Sequence, residues 1–257
     1  MFENNIDENY QILALILVLL SFFWIYLTKF RSFLKLTASY LPINSIRIFI
    51  FRICGTNIGK NCKIGFGTVI GHDVKIGDRT QISENAYVGS GTRISSDCNI
   101  ESFVKLYMCN IGKNTDVRWG VNLSGHIDRK LEIGSDCIIG RYSILDGYKE
   151  KIIIGNSVHI GPLSCIWTHS AMFNVVSGIS HKSPEYPKKI MRKGVIFEDD
   201  IWTGNSITVY SGVTVSRKSA IMPNSVIDKD VETGAIVGNP SSKTISKLPK
   251  SIFISKK

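Results

Sequence analysis

The stretch "IGKNCKIGFGTVIGHDVKIGDRTQ", residues 58–81, sets an isoleucine followed at once by glycine at 58, 64, 70 and 76. A repeat of six matches neither the helical period of about 3.6 nor a single strand alternating with a period of 2. The aliphatic register runs on through Ile82, Val88, Ile94, Ile100 and Leu106. A five-residue step leads to Ile111, then Val117 and Leu123, with further sets at Ile133, Ile139 and Leu145 and at Ile154, Ile160 and Ile166. After an interruption it resumes at Phe197, Thr203, Val209, Val215, Ile221 and Ile227. Four residues after each early guide position stands a small or β-branched residue: Cys62, Thr68, Val74, Thr80, Ala86, Thr92 and Cys98.

Six residues make a short strand and a corner. Three such sides close a triangular coil of about 18 residues, and coils stack by parallel pairing about 4.8 Å apart. The guide aliphatics then point inward and stack on their copies one coil up. The glycine after each guide is expected to ease the turn, with Asn and Asp near the corners. The hexads predict about seven triangular coils in a mainly β fold. No coil can bury its own interior, so the stack folds as a unit.

The rest of the chain bounds the function. Of 257 residues, 44% are hydrophobic and 20% charged, which supports a buried core and excludes a disordered chain. The net charge of +10 calls for an anionic partner. No lysine or arginine block is dense enough to favour nucleic acid, so phosphate or a membrane surface is expected instead. The six cysteines form no C-x-x-C pair, which argues against zinc, and Cys62, Cys98 and Cys137 share the small-residue slot of the repeat.

The uncharged run "ILALILVLLSFFWIYL", residues 12–27, reads as a transmembrane helix near the lower limit of the roughly 17–25 residues that span a bilayer, with a helix lying in the interface as the alternative. Lys29, Arg31, Lys35, Arg47 and Arg52 follow it, which places the remainder in the cytoplasm of a bacterial inner membrane as a single-pass protein. Residues 1–41 are then the anchor. "PINSIRIFIFRI", within 42–54, reads as a short amphipathic helix that either lies on lipid or caps the next domain. Residues 55–240 form the repeat domain with an insertion at 170–194, and residues 241–257 a basic tail.

The [Ile/Val/Leu]-Gly-x-x-small-x pattern over roughly residues 55–239 resembles the hexapeptide-repeat acyltransferases, whose fold is a left-handed parallel β-helix; the handedness is implied by the resemblance. Relatives that are carbonic anhydrases carry metal-binding histidines five residues apart. His72, His126, His159, His169 and His181 offer no such pair. No metal is expected. The segment from Phe197 to Pro240 is similar to the last coils of maltose/galactoside-type and cell-surface polysaccharide O-acetyltransferases. It keeps Trp202, Lys229, Asp230 and the closing Gly238-Asn239-Pro240, and departs at Thr203, Ser211, Met222, Pro223 and Asp228. The resemblance implies acetyl-CoA held between two subunits of a homotrimer, with Trp202, Asn205, Pro223 and Lys229 along its path.

The same resemblance makes His169, in "IGPLSCIWTHSAMF", the general base. The chemistry agrees: a sugar hydroxyl must lose its proton as the acyl bond forms, and an imidazole accepts one near neutral pH. The insertion after it, "SAMFNVVSGISHKSPEYPKKIMRKG", is expected to be a long loop that walls the acceptor site. From it Phe173, His181 and Tyr186, with Met172 and Glu185, are candidate sugar contacts. His126 and Tyr148 are further substrate-binding candidates. His72 and His159 are expected to face outward without a catalytic part. Cys165, four residues before His169, is not expected to be a nucleophile, since direct transfer needs no acyl-enzyme.

These features imply an acetyl-CoA-dependent O-acetyltransferase acting on a cell-envelope glycan such as capsule or lipopolysaccharide. An N-acyltransferase on a nucleotide-linked amino sugar and a non-catalytic trimeric scaffold are the alternatives.

Overall fold

The structure, a computed structural model, describes residues 3–128, 130–185, 191–238 and 243–247. A long helix α1 (Glu3–Ser39) and a short α2 (Asn44–Ile53) lead into a three-sided prism of two- and three-residue strands. Asn57–Ile58 opens the first face, Lys63–Ile64 the second and Val69–Ile70 the third. Each strand pairs in parallel with its copy one coil on, Ile58 with Ile76, Ile64 with Ile82 and Ile70 with Val88. Among the described residues, eight strands stack on the first face, ten on the second and eight on the third. That exceeds the seven coils read from the hexads. The guides from Ile58 to Ile227 number 24, three to a coil, which gives eight coils, and Ala235–Gly238 with the antiparallel Lys243–Lys247 adds two strands to the second face.

The guide residues form the core as the register requires. Ile64, Ile82, Ile100, Val117, Ile139 and Ile160 are at most 2% exposed, one above the other on the second face. The small-residue slot is also buried, and Cys62, Cys98 and Cys137 donate S–H bonds to the Gly77, Gly112 and Gly155 carbonyls at 3.0–3.1 Å.

The glycines play a different part from the one expected. The turn is made three residues after each guide, where Asn61, Asp73, Arg79, Asn85 and Asp97 all have φ near +50 to +60°. The glycine directly after the guide has no positive φ. It is needed because the next coil passes too close: a Cβ at Gly65 would stand 2.4 Å from the Glu84 nitrogen, and at Gly77 2.4 Å from that of Ser96. Close approach, rather than turning, selects glycine there.

A parallel stack leaves an open edge at each end. At the N-terminal end three cations close it, one per face. Arg52 donates to the carbonyls of Ile58 and Gly59 on the first face at 2.6–3.2 Å. Arg47, itself buried, donates through Nε and Nη2 to the Ile64 carbonyl on the second at 3.0 and 2.6 Å, and through Nη1 to Leu41. Lys35 Nζ donates to Gly71 on the third at 2.8 Å. Ile48 and Phe51 plug the core beneath the first coil. The amphipathic helix is therefore a cap, and the last turns of α1 belong to it. At the other end Lys243–Lys247, within the segment read as a tail, folds back antiparallel on Ala235–Gly238.

The insertion is not structureless. His169–Ser170 pairs antiparallel with Met191–Arg192, tying off its neck, and α3 (Met172–Val176) lies within it.

Candidate active site

On the third face Leu123, Leu145 and Ile166 stack in register, each fully buried. Each strand leaves the face through an enlarged corner, and the third residue after each guide is His126, Tyr148 and His169 in turn. Three sequence-predicted residues thus occupy one column on successive coils.

Beneath the column a cavity of about 410 Å³ is lined by Tyr107, Met108, Ser124, His126, Ile127 and Tyr148. The His126 ring meets that of Tyr148 edge-on at 5.4 Å. His126 Nδ1 lies 3.3 Å from the Asp128 amide and 3.4 Å from the Asp128 carboxylate. The Tyr148 amide donates to the Asp146 carboxylate at 3.1 Å, fixing the corner, and Lys149 Nζ stands 5.0 Å from the Tyr148 ring centroid. The pocket offers aromatic faces beside a few polar groups, the composition of a small-molecule site.

His169 is held from behind. Thr168 is buried; its hydroxyl donates to the Asp146 carbonyl at 2.8 Å and accepts the Glu150 amide at 3.3 Å. Its carbonyl accepts the Lys193 amide at 3.1 Å, from the returning arm of the insertion. These bonds fix the backbone on which the imidazole rides. The ring is half-buried, and its Nδ1 is shut off from solvent with no hydrogen-bond partner among the described residues. An unsatisfied buried nitrogen costs about 1–3 kcal/mol.

The other candidates are dispersed. Phe173 on α3 and His181 are exposed, with Met172 and Glu185; Tyr186 lies outside the described residues. Of the residues assigned to the donor, Asn205 and Pro223 stack at the corner between the second and third faces, where the Asn224 amide donates to the Asn205 carbonyl at 2.9 Å. Pro223 packs on Gly204, where a Cβ would stand 2.5 Å from its ring. Trp202 is exposed on the second face, in register with His159 and Ala220. Lys229 lies at the other corner, following Ile227, in the stack that carries His169. One chain does not bring these four together.

Burial pushes the Cys165 thiol above its ordinary range, so it stays protonated and weakly nucleophilic. His72 is exposed and His159 half-buried. Burial and the nearby Arg118 charge lower the pKa of His159. Among the described residues no three His, Cys, Asp or Glu side chains cluster as a metal site would require.

Residues 55–90 match the bacterial transferase hexapeptide (six repeats) family. The chain is 27% identical over 108 residues to a putative acetyltransferase of Saccharomyces cerevisiae, YJL218W, covering 41% of this chain and 49% of that one. The chain spans about half the length of the curated relatives it matches. Its fold is similar to that of the Francisella novicida UDP-N-acetylglucosamine acyltransferase, with a TM-score of 0.60 at 17% identity over 75% of this chain and 66% of that one. It is also similar to AntD, an N-acyltransferase from Bacillus cereus solved with dTDP and 3-hydroxybutyryl-CoA, with a TM-score of 0.53 at 18% identity over 77% and 85% of the two chains. The chain thus carries the hexapeptide repeat and has the left-handed parallel β-helix of these acyltransferases.

The shared column was within reach of the sequence. His126, Tyr148 and His169 each stand three residues after a guide, and counting from Leu123, Leu145 and Ile166 aligns them.

Proposed function

We propose that the protein is an acyltransferase that uses acetyl-CoA to acetylate a hydroxyl of a cell-envelope glycan or its precursor, with His169 as general base. The observation that carries this reading is the half-buried imidazole of His169 on a backbone fixed by the bonds of Thr168, with Nδ1 buried and unpartnered among the described residues. Similarity to a named acetyltransferase and to the fold of CoA-using acyltransferases supports it.

In this reading His169 takes the proton of the acceptor hydroxyl as its oxygen attacks the thioester carbonyl. The tetrahedral intermediate collapses with cleavage of the carbon–sulfur bond, and the imidazolium returns the proton to the departing CoA thiolate. His126 and Tyr148 hold the acceptor sugar, the ring of Tyr148 lying against its apolar face. Phe173, His181 and Tyr186 wall the acceptor from the insertion. Trp202, Asn205, Pro223 and Lys229 hold the donor. Their split between two corners suits a donor groove between two copies of the chain, one offering Asn205 and Pro223 and the other His169 and Lys229. A homotrimer gives three such grooves.

α1 is apolar enough over Ile16–Ser39 to cross a membrane, with a mean hydropathy of 1.5. With the cations after it, this supports a single-pass protein of the bacterial inner membrane whose prism lies in the cytoplasm. The test of the activity is release of CoA thiol from acetyl-CoA in the presence of a panel of sugars. No acceptor-dependent release would remove the enzymatic reading and leave the scaffold.

A further inference from the structure

The corner between the second and third faces carries a row of side chains that neither the core nor the catalytic column uses. Phe103, Trp119, Tyr142 and Leu163 stand there on four successive coils; Trp119 is half-buried and the other three are 48–56% exposed. The rings touch in sequence. Phe103 and Trp119 lie 5.0 Å apart between centroids, and Trp119 and Tyr142 4.8 Å, close to the rise of one coil. The Tyr142 ring lies over Gly120, where a Cβ would stand 2.9 Å from it.

Beside the rings is a cavity of about 240 Å³ lined by Glu101, Trp119, Arg141 and Tyr142. The Glu101 carboxylate fixes its wall. It accepts the Arg118 guanidinium and the Trp119 amide, each at 2.8 Å, and Arg141 Nε stands 4.0 Å away. Aromatic rings next to a carboxylate and a guanidinium suit a pyranose, which has an apolar C–H face and a rim of hydroxyls that donate and accept.

Coil heights tie this corner to the column of His126, Tyr148 and His169. Val117 and Leu123 both lie on the fourth strand of their faces, Ile139 and Leu145 on the fifth, and Ile160 and Ile166 on the sixth. Trp119 therefore shares a height with His126, Tyr142 with Tyr148, and Leu163 with His169. In one chain they stand on opposite edges of the third face. A three-residue strand, about 10 Å long, separates them, so one copy cannot close both edges on a single sugar. A threefold axis parallel to the prism preserves height, and it can set this corner of one copy opposite the column of the next.

We propose that Trp119 and Tyr142 of one copy complete the acceptor pocket of the next, clasping a sugar ring against His126 and Tyr148. Glu101 and Arg141 supply hydrogen bonds to its hydroxyls. The groove then runs in the order that transfer requires: donor residues on the seventh and eighth coils, His169 on the sixth, and the acceptor on the fifth and fourth. The proposal rests on the reading of the protein as a trimeric acetyltransferase with His169 as base.

One test needs no activity. In the full chain with Cys165→Ser, a copy with Tyr142→Cys and a differently tagged copy with Tyr148→Cys are co-expressed and treated with a short bismaleimide. The proposal expects a cross-linked pair carrying both tags, and none from either variant alone. The second test uses the sugar that gives the fastest CoA release in the panel. Trp119→Ala with Tyr142→Ala should raise the acceptor KM by roughly 5–100-fold with kcat little changed, and Tyr142→Phe should keep the parent KM. Tyr142→Ala alone serves as the second variant if sedimentation shows that the double change disturbs assembly. Co-assembled with His169→Ala chains, the aromatic variant leaves one native groove in each mixed trimer, so about a quarter of all grooves in a one-to-one mixture regain the parent KM. Parent chain that transfers to a sugar, but without the mixed cross-link or without recovery in the mixed trimers, overturns this proposal alone. Parent chain that releases no CoA with any sugar removes the enzymatic reading and this proposal with it.

Discussion

The imidazole of His126 meets the ring of Tyr148 edge-on, centroids 5.4 Å apart and planes at 76°, so that one aromatic corner joins two successive coils. Both residues line the same cavity. Neither lies in the core, so replacing Tyr148 should leave folding intact. An aromatic contact of this type contributes about 0.5–1.5 kcal/mol, so Tyr148→Ala should raise the acceptor KM by roughly 2–10-fold with kcat little changed. Steady-state kinetics with varied acceptor checks it; an effect on donor KM alone would move the pocket to the other substrate.

Lys229 is exposed at the corner that also carries His169. If it faces the phosphates of CoA, Lys229→Glu should weaken donor binding about 10-fold at low salt and progressively less as ionic strength rises. Calorimetric titration with CoA at two salt concentrations decides it, and equal affinities for variant and parent would take the phosphate path elsewhere.

The N-terminal cap predicts a stability effect. Arg47 is buried and satisfies the Ile64 carbonyl twice and Leu41 once. Bonds from a charged donor contribute about 1.5–3 kcal/mol, so Arg47→Ala should cost roughly 2–4 kcal/mol, with Arg47→Lys intermediate. Denaturant unfolding in detergent measures this. An unchanged midpoint would mean the edge carbonyls are satisfied without it.

Burial drives the thiol of Cys109 up to about 12 and that of Cys137 to about 11. The folded state thus keeps protons that the unfolded state loses from about pH 9 upward. Their stabilising contribution is complete below pH 9 and declines from there to the folded values, by about 1.4 kcal/mol per pH unit for each thiol. Cys109→Ala should flatten the fall in stability between pH 9 and 11 relative to the parent, and identical slopes would contradict it.

The fold could be read from one face of the repeat because its cause is local. A guide residue every six positions fixes which side chain enters the prism, and each guide from Ile58 to Ile100 is buried in parallel register. The cap was legible only as one of two readings of the helix within 42–54. Arg47 and Arg52 read as cations that orient the apolar run, and the open edge they close exists only once the coils have stacked. The role of the post-guide glycines was misassigned for a related reason, since the Gly65–Glu84 approach is a contact between coils rather than a property of the hexad. The site was half legible. His169 stood out where the repeat breaks, and its alignment with His126 and Tyr148 needed only the count from each guide. The donor residues were named from similarity, and their separation onto two corners emerges only in three dimensions.

The central claim is that His169 moves the proton. His169→Ala removes no guide residue, so the prism should keep its fold, checked by circular dichroism and sedimentation. With a working acceptor, the rate of CoA thiol release should fall by about 10²–10⁴-fold, while the dissociation constant for acetyl-CoA changes little. A correctly folded His169→Ala protein that releases CoA at the parent rate would contradict the account.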